Sequence, residues 1–212
     1  MAIVDASYRF IHIGVGAYGR NSDGGIFSNC NFGKALRKEK LNIPNAEVMP
    51  ENPDTGALPY VFVGDEAFPL MYNLMRPYPV GKSKDVTEGE LIFNYRLSRA
   101  RRIVENAFGI LSSRWRVFHT RIMLEAENVN KVIMAACVLH NFLQSSSTPA
   151  QISSLCTEGN SANENADWQP LIRTGNRGSD EAIEVRQRFQ NFFVSPAGEV
   201  PWQYDMVRKG KF

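Results

Sequence analysis

The chain has 212 residues, 43% of them hydrophobic and 22% charged, with a net charge of +2. That is ordinary for a soluble globular protein and enough chain for one domain with a genuine apolar core. No apolar run approaches the roughly 18 residues of a membrane span, and so small a net charge argues nothing about nucleic acid by itself. Met1-Ala2-Ile3-Val4-Asp5 lacks the basic and apolar regions of a secretory signal and reads as the middle of a strand. Cys30, Cys137 and Cys156 lie far apart with no zinc spacing, which fits free thiols in a reducing compartment.

Residues 1 to 14 alternate and are rich in β-formers, broken at Asp5-Ala6-Ser7, and predict a hairpin. Glycines punctuate the next stretch, and a helix is expected from about Gly25 to Lys38. Residues 42 to 59 hold four prolines and no apolar period, so they read as a surface loop. Tyr60-Val61-Phe62-Val63-Gly64 suits a strand buried on both faces, with Asp65 at its C-terminal end. A short helix is expected at about Phe68 to Met75, stopped by Arg76-Pro77-Tyr78-Pro79. Longer helices follow at about 94 to 116 and 127 to 143. Composition then divides the chain into a domain over 1–143, a flexible Ser/Asn-rich linker over 144–179, and a C-terminal helix (Asp180 to Phe193) with a tail, 180–212. The element order predicts an α/β fold with a mixed sheet and flanking helices.

Between Leu91 and Arg121 stand seven arginines and a single acid, Glu105. At about 100° per residue, Val104, Phe108, Leu111 and Trp115 form the expected core stripe, flanked by Ile103, Ala107 and Ile110. The opposite face carries Ser98, Arg101, Arg102, Glu105, Gly109, Ser112 and Arg116. Glu105 is either an ion-pair partner of Arg101, worth a few tenths of a kcal/mol, or a metal-binding carboxylate among phosphate ligands; spacing alone favours the pair. Asp65 is either a helix N-cap or a site residue at a strand end. Two such carboxylates suit paired divalent cations about 4 Å apart, and hard oxygen ligands select Mg2+ or Mn2+. His12 and Cys137 read as packing residues, and His140-Asn141 as a structural hydrogen-bonding pair.

Several ordered blocks together carry a resemblance. They are Ser22-Asp23-Gly24-Gly25-Ile26-Phe27, Val63-Gly64-Asp65-Glu66-Ala67-Phe68-Pro69-Leu70 and Leu74-Met75-Arg76-Pro77-Tyr78-Pro79. With them go the run from Phe93 to Gly109, Arg114-Trp115-Arg116, Val138-Leu139-His140-Asn141 and the tail Val200-Pro201-Trp202-Gln203. The chain resembles the DDE transposases of the PIF/Harbinger superfamily, well over residues 1–143 and more loosely beyond.

The resemblance implies an RNase H-like fold in which a DDE triad binds two divalent metals and cuts DNA. Asp65 matches the second acidic position and Glu105 the third. Arg101 matches the arginine four residues before the glutamate, and Asp23 a separate acid, in a supporting shell, at the start of the crossover helix. Arg96, Arg99, Arg101, Arg102 and Arg116 are the expected DNA contacts. A related bacterial group has a basic residue seven positions after the glutamate, where this chain has Ser112. The first aspartate of the triad belongs to an Asp-Gly-(Lys or Thr)-His sequence that does not occur in these residues, and neither Asp5 nor Asp23 replaces it. The expectation is therefore a domain without its first catalytic strand, inactive as it stands. Two readings stay open, a metal-dependent nuclease or transposase and a non-catalytic derivative that binds DNA or protein. The resemblance also implies a nuclear location and a separate Myb-like DNA-binding partner.

Overall fold

The computed structural model describes residues 1–17, 22–49, 56–80, 86–146 and 178–210, so most of the expected linker lies outside the described residues. The chain divides into two compact units. One comprises Met1–Ser22 with Arg102–Leu171, the other Asp23–Arg101 with Ile172–Phe212. Among the described residues, β-structure occurs as three separate two-stranded sheets, two antiparallel and one parallel. The α/β expectation holds, and a continuous mixed sheet is not what these strands build.

In the first unit, β1 (Ala2–Val4) pairs antiparallel with β2 (Phe10–Ile13), with a bulge between Ile3 and Val4. The expected hairpin is present, and Asp5 builds its turn. The Asp5 carboxylate accepts from the amides of Ser7 (2.8 Å) and Arg9 (3.0 Å) and pairs with the Arg9 guanidinium at 2.7 Å. Burial pushes the carboxyl upward, but these hydrogen bonds and the Arg9 charge outweigh it and hold its pKa below the usual value.

The helix expected over 25–38 is two helices in the second unit, α1 (Asp23–Asn29) and α2 (Asn31–Arg37). Cys30 is extended and caps α2, its Sγ accepting from the Gly33 amide at 3.2 Å, while its thiol donates to the Phe27 carbonyl at 3.2 Å. The corner closes because Gly33 has no side chain. A Cβ there would lie 1.9 Å from the Phe27 oxygen. A short antiparallel pair follows, β3 (Glu47–Val48) with β4 (Ala57–Leu58), in the region read as a surface loop.

The strand expected at Tyr60–Gly64 shortens to β5 (Phe62–Val63), parallel to β6 (Leu74–Met75). It is not buried on both faces, because Val63 is exposed. The helix expected at 68–75 does not form. Pro69 removes a backbone donor there, and the backbone of 71–75 bonds elsewhere, Asn73 and Met75 accepting from Phe62 and Gly64 at 2.9 Å.

Helix α3 runs Glu88–Arg114, six residues earlier than the apolar period indicates. Its start is a reciprocal capping box: Thr87 Oγ1 accepts from the Glu90 amide (3.2 Å) and Glu90 Oε2 from the Thr87 amide (3.0 Å). In the first unit its core face is also rotated from expectation. Ala107, Ile110 and Leu111 are buried, whereas Phe108 is exposed and meets Phe10 edge-on at 5.3 Å. A 3-10 turn (Arg116–His119) leads toward α4 (Ala126–Ser146), whose Ala136 and Cys137 share a core with Phe10, Ala107 and Leu111. Cys137 is buried, as its apolar face predicts.

The last helices are α5 (Asp180–Phe193), capped by Ser179, and α6 (Gln203–Arg208). Both belong to the second unit. Ala182 and Val185 of α5 complete a core with Leu70, Met75, Tyr78, Phe93 and Leu97. Val207 of α6 packs with Ile92 and Tyr95. Where α5 ends, Ser195 Oγ donates to the Phe192 carbonyl at 2.7 Å, and a Cβ on Gly198 would lie 2.1 Å from that same oxygen.

Candidate functional site

Asp65 follows β5 through Gly64 and holds a tight turn rather than capping a helix. Its Oδ1 accepts from the Ala67 amide at 2.9 Å, and its carbonyl accepts from the Phe68 amide at 3.2 Å. Its Oδ2 lies 3.7 Å from Arg101 Nη2, both side chains being partly exposed. A pair of that exposure and length stabilises by at most about 1 kcal/mol. The turn is braced by α1, because a Cβ on Gly24 would come within 2.5 Å of the Ala67 carbonyl. Asp23, beside that contact, is exposed in the first turn of α1.

Glu105 belongs to the first unit and is exposed on α3. It lines an open cavity of about 690 Å3 with Arg102 and Asn106, over walls that include Phe10, Ile13 and Cys137. A Cβ at Gly109, one turn on, would meet nothing within 4 Å among the described residues, so their packing does not require the glycine.

The arginines divide by environment. Arg96 is part-buried, its Nη1 donating to the Gly198 carbonyl (3.1 Å) and Gln203 Oε1 (3.2 Å), its guanidinium 4.7 Å from the Phe193 ring centre. Burial, then the neighbouring Arg99 charge, lowers its pKa. Gln203, fully buried, also donates to the Phe193 carbonyl at 2.8 Å. Together they tie the tail to α3, a role for Arg96 and Gln203 that no local pattern announces. Arg99 stacks 5.5 Å from the Trp202 ring. Arg102 and Arg116 are exposed.

The structural reading of His140-Asn141 is borne out. Both Asn141 amide atoms bond the backbone of Phe10, Oδ1 accepting from its N–H and Nδ2 donating to its carbonyl, each at 2.8 Å. His140 is fully buried, and its Nε2 donates to the Tyr8 carbonyl at 2.8 Å, where Tyr8 has φ 60°. Burial lowers the His140 pKa, and the charge of Arg114 adds to that. A histidine depressed in the folded state leaves the unfolded chain the better proton acceptor below pH 6.5. Stability is therefore complete above that pH and declines below it, by up to about 1.4 kcal/mol per pH unit. Thermal melts at pH 7.5 and 5.5 are expected to differ more for the native chain than for His140→Gln. Equal pH sensitivity would remove His140 from the account; His12, also depressed by burial, remains in both proteins.

Acidic oxygen donors of the kind Asp65 and Glu105 supply suit Mg2+ or Mn2+. Among the described residues, however, no group of three or more His, Cys, Asp and Glu side chains gathers closely enough to hold a metal ion. Both carboxylate oxygens of Asp65 already face donors of this chain. The described residues do not, by themselves, fit a two-metal site. No described helix is long and apolar enough to cross a membrane.

Comparison with known proteins then bears on identity. Protein ALP1-like from Arabidopsis thaliana is 32% identical over 143 residues, covering 67% of this chain and 34% of that protein. The chain thus spans about a third of the length of this curated relative. No solved structure matches it. The model of the DDE superfamily endonuclease family matches residues 1–141, the stretch that carries both Asp65 and Glu105, and the chain belongs to that family.

Proposed function

We propose that these residues are the carboxylate-bearing part of a Harbinger-derived, transposase-type nuclease domain with an RNase H-like arrangement, and that on their own they bind DNA without cutting it. The family match over 1–141 carries the reading, since membership implies a DNA substrate. Asp65 and Glu105 are the second and third acids of the triad, with Asp23 in a supporting position. Each, within its own unit, would offer a hard carboxylate oxygen to the Mg2+ or Mn2+ that the family implies, but the described residues do not by themselves complete a site for it. Arg99, Arg101, Arg102 and Arg116 present forked donors to phosphate oxygens; Arg96 contributes through the fold. The Arg101–Asp65 pair favours the non-catalytic reading for this stretch by itself, because it balances the Asp65 charge from within the chain. A nuclear location and a Myb-like partner supplying target choice complete the proposal.

One experiment tests it. Supercoiled plasmid incubated with the 212-residue chain in Mg2+ or Mn2+ is expected to be retarded but not nicked. Retardation should fall steeply with salt through counterion release, the log–log slope shrinking by about 0.9 for each arginine removed in Arg102→Ala and Arg116→Ala. Metal-dependent nicking that vanishes in both Asp65→Ala and Glu105→Ala would replace this proposal with a competent enzyme. Absence of any retardation at low salt would sink DNA binding.

A further inference from the structure

The first unit buries hydrogen-bonding atoms that the fold does not use. Arg114 Nη1 and Trp115 Nε1 stand at the end of α3, His140 Nδ1 and both amide atoms of Gln144 on α4. Among the described residues, none of these five atoms meets a hydrogen-bond partner. His140 is 0% exposed and Gln144 4%, and all four residues belong to the first unit. Buried polar atoms in folded proteins are nearly always satisfied, so a group of this kind asks for a ligand.

The hairpin brings the four together. Phe10 of β2 meets the Phe108 ring of α3 at 5.3 Å and the His140 ring of α4 at 5.1 Å. Trp115 packs against the core that Phe10 belongs to, and the Arg114 charge is felt at His140. Gln144 follows His140 by four residues, which sets both on one face of α4. We infer that these side chains bind one small oxyanion that carries its own hydroxyl, of the hydrogen phosphate kind.

Charge calls for an anion. A guanidinium does not give up its proton in a protein. Burial lowers the Arg114 pKa, and no neighbouring carboxylate acts to raise it. A buried charge without a counter-ion is costly, and water hydrates such a charge without neutralising it.

The hydrogen-bond pattern calls for the hydroxyl. Arg114 Nη1, Trp115 Nε1 and Gln144 Nε2 are donors, suited to the bare oxygens of an oxyanion. His140 is different. Its Nε2 donates to the Tyr8 carbonyl at 2.8 Å, so the neutral ring keeps a lone pair on Nδ1. Chloride or sulfate would set lone pair against lone pair there. Hydrogen phosphate offers that nitrogen a proton, and its singly charged form has a second hydroxyl for Gln144 Oε1. A DNA phosphodiester has no such hydroxyl, so this site is distinct from the arginines proposed to hold the DNA backbone.

Calorimetric titration of the full 212-residue chain, at constant ionic strength in potassium chloride, tests the site. Inorganic phosphate is expected to bind with a Kd of about 1 mM or tighter, and sulfate about tenfold more weakly or worse. Arg114→Gln and Gln144→Leu should each weaken phosphate by about tenfold or more, whereas Lys131→Gln, which removes an exposed cation from α4, should not. Without phosphate, Gln144→Leu should melt above the native chain, because an apolar side chain of similar size removes an unmet buried amide. Sulfate binding as tightly as phosphate would mean an adventitious ion only. No phosphate binding, phosphate binding unchanged in both variants, or a Gln144→Leu chain that melts lower without phosphate would each overturn the inference, the last by showing that Gln144 is already satisfied.

Discussion

Replacing Asn141 by leucine is expected to destabilise the first unit by about 2–4 kcal/mol. The substitution keeps side-chain volume but leaves both the N–H and the carbonyl of Phe10 without the amide that now holds them. Each buried backbone group stripped of its partner costs about 1–3 kcal/mol, and water offsets part of that here because the site is only partly buried. Phe10 is itself the pivot of the first unit's core, touching Phe108 at 5.3 Å and the His140 ring at 5.1 Å. Loss of its anchor should therefore loosen packing as well. Asn141→Asp, which keeps an acceptor and loses the donor, should fall between. Hydrogen exchange at the Phe10 amide is the sharper readout. Protection unchanged in Asn141→Leu would mean that the strand holds its place without the bond.

Phe93→Ala should cost about 3–5 kcal/mol, a buried aromatic lost from a packed core. Phe93 is almost fully buried in the second unit, edge-on to Tyr78 at 5.3 Å and 6.0 Å from the Phe193 ring. The cavity left by the ring opens against α5, so exchange should accelerate there and across the first turns of α3. Next to it, Asn94 repeats the arrangement seen at Asn141, its amide bonding both the N–H (2.7 Å) and the carbonyl (2.9 Å) of Tyr78. A Phe93→Ala chain melting within about 1 kcal/mol of the native one would show that the cavity collapses or that Phe93 is not a keystone.

These two asparagines mark the limit of what the sequence discloses. Helix α5 is legible because its cap and apolar period are local, and the start of α3 was open to the same reading through Thr87-x-x-Glu90. The acids of the resemblance are legible as positions, Asp65 after a strand and Glu105 on a helix. Other features depend on partners remote in the chain. Asn141 meets Phe10 across 131 residues and Arg96 meets Gln203 across 107, and periodicity carries no sign of either. The expected helix at 68–75 failed for a related reason, since pairing with β5 overrode a locally helical composition.

The two tight corners after Phe27 and Phe192 have a consequence for how the chain can drift. In each, an aromatic residue's carbonyl takes a bond from the side chain three positions on, Cys30 or Ser195, and touches a glycine six positions on. Every alternative to glycine puts an atom into that oxygen, so a lineage kept only for folding can exchange most surface letters yet has one permitted letter at 33 and at 198. Gly109 is the converse, because among the described residues a Cβ there would meet nothing within 4 Å and their packing exerts no veto. A lineage that nonetheless kept glycine at 109 would be answering to something that approaches the helix from outside the chain.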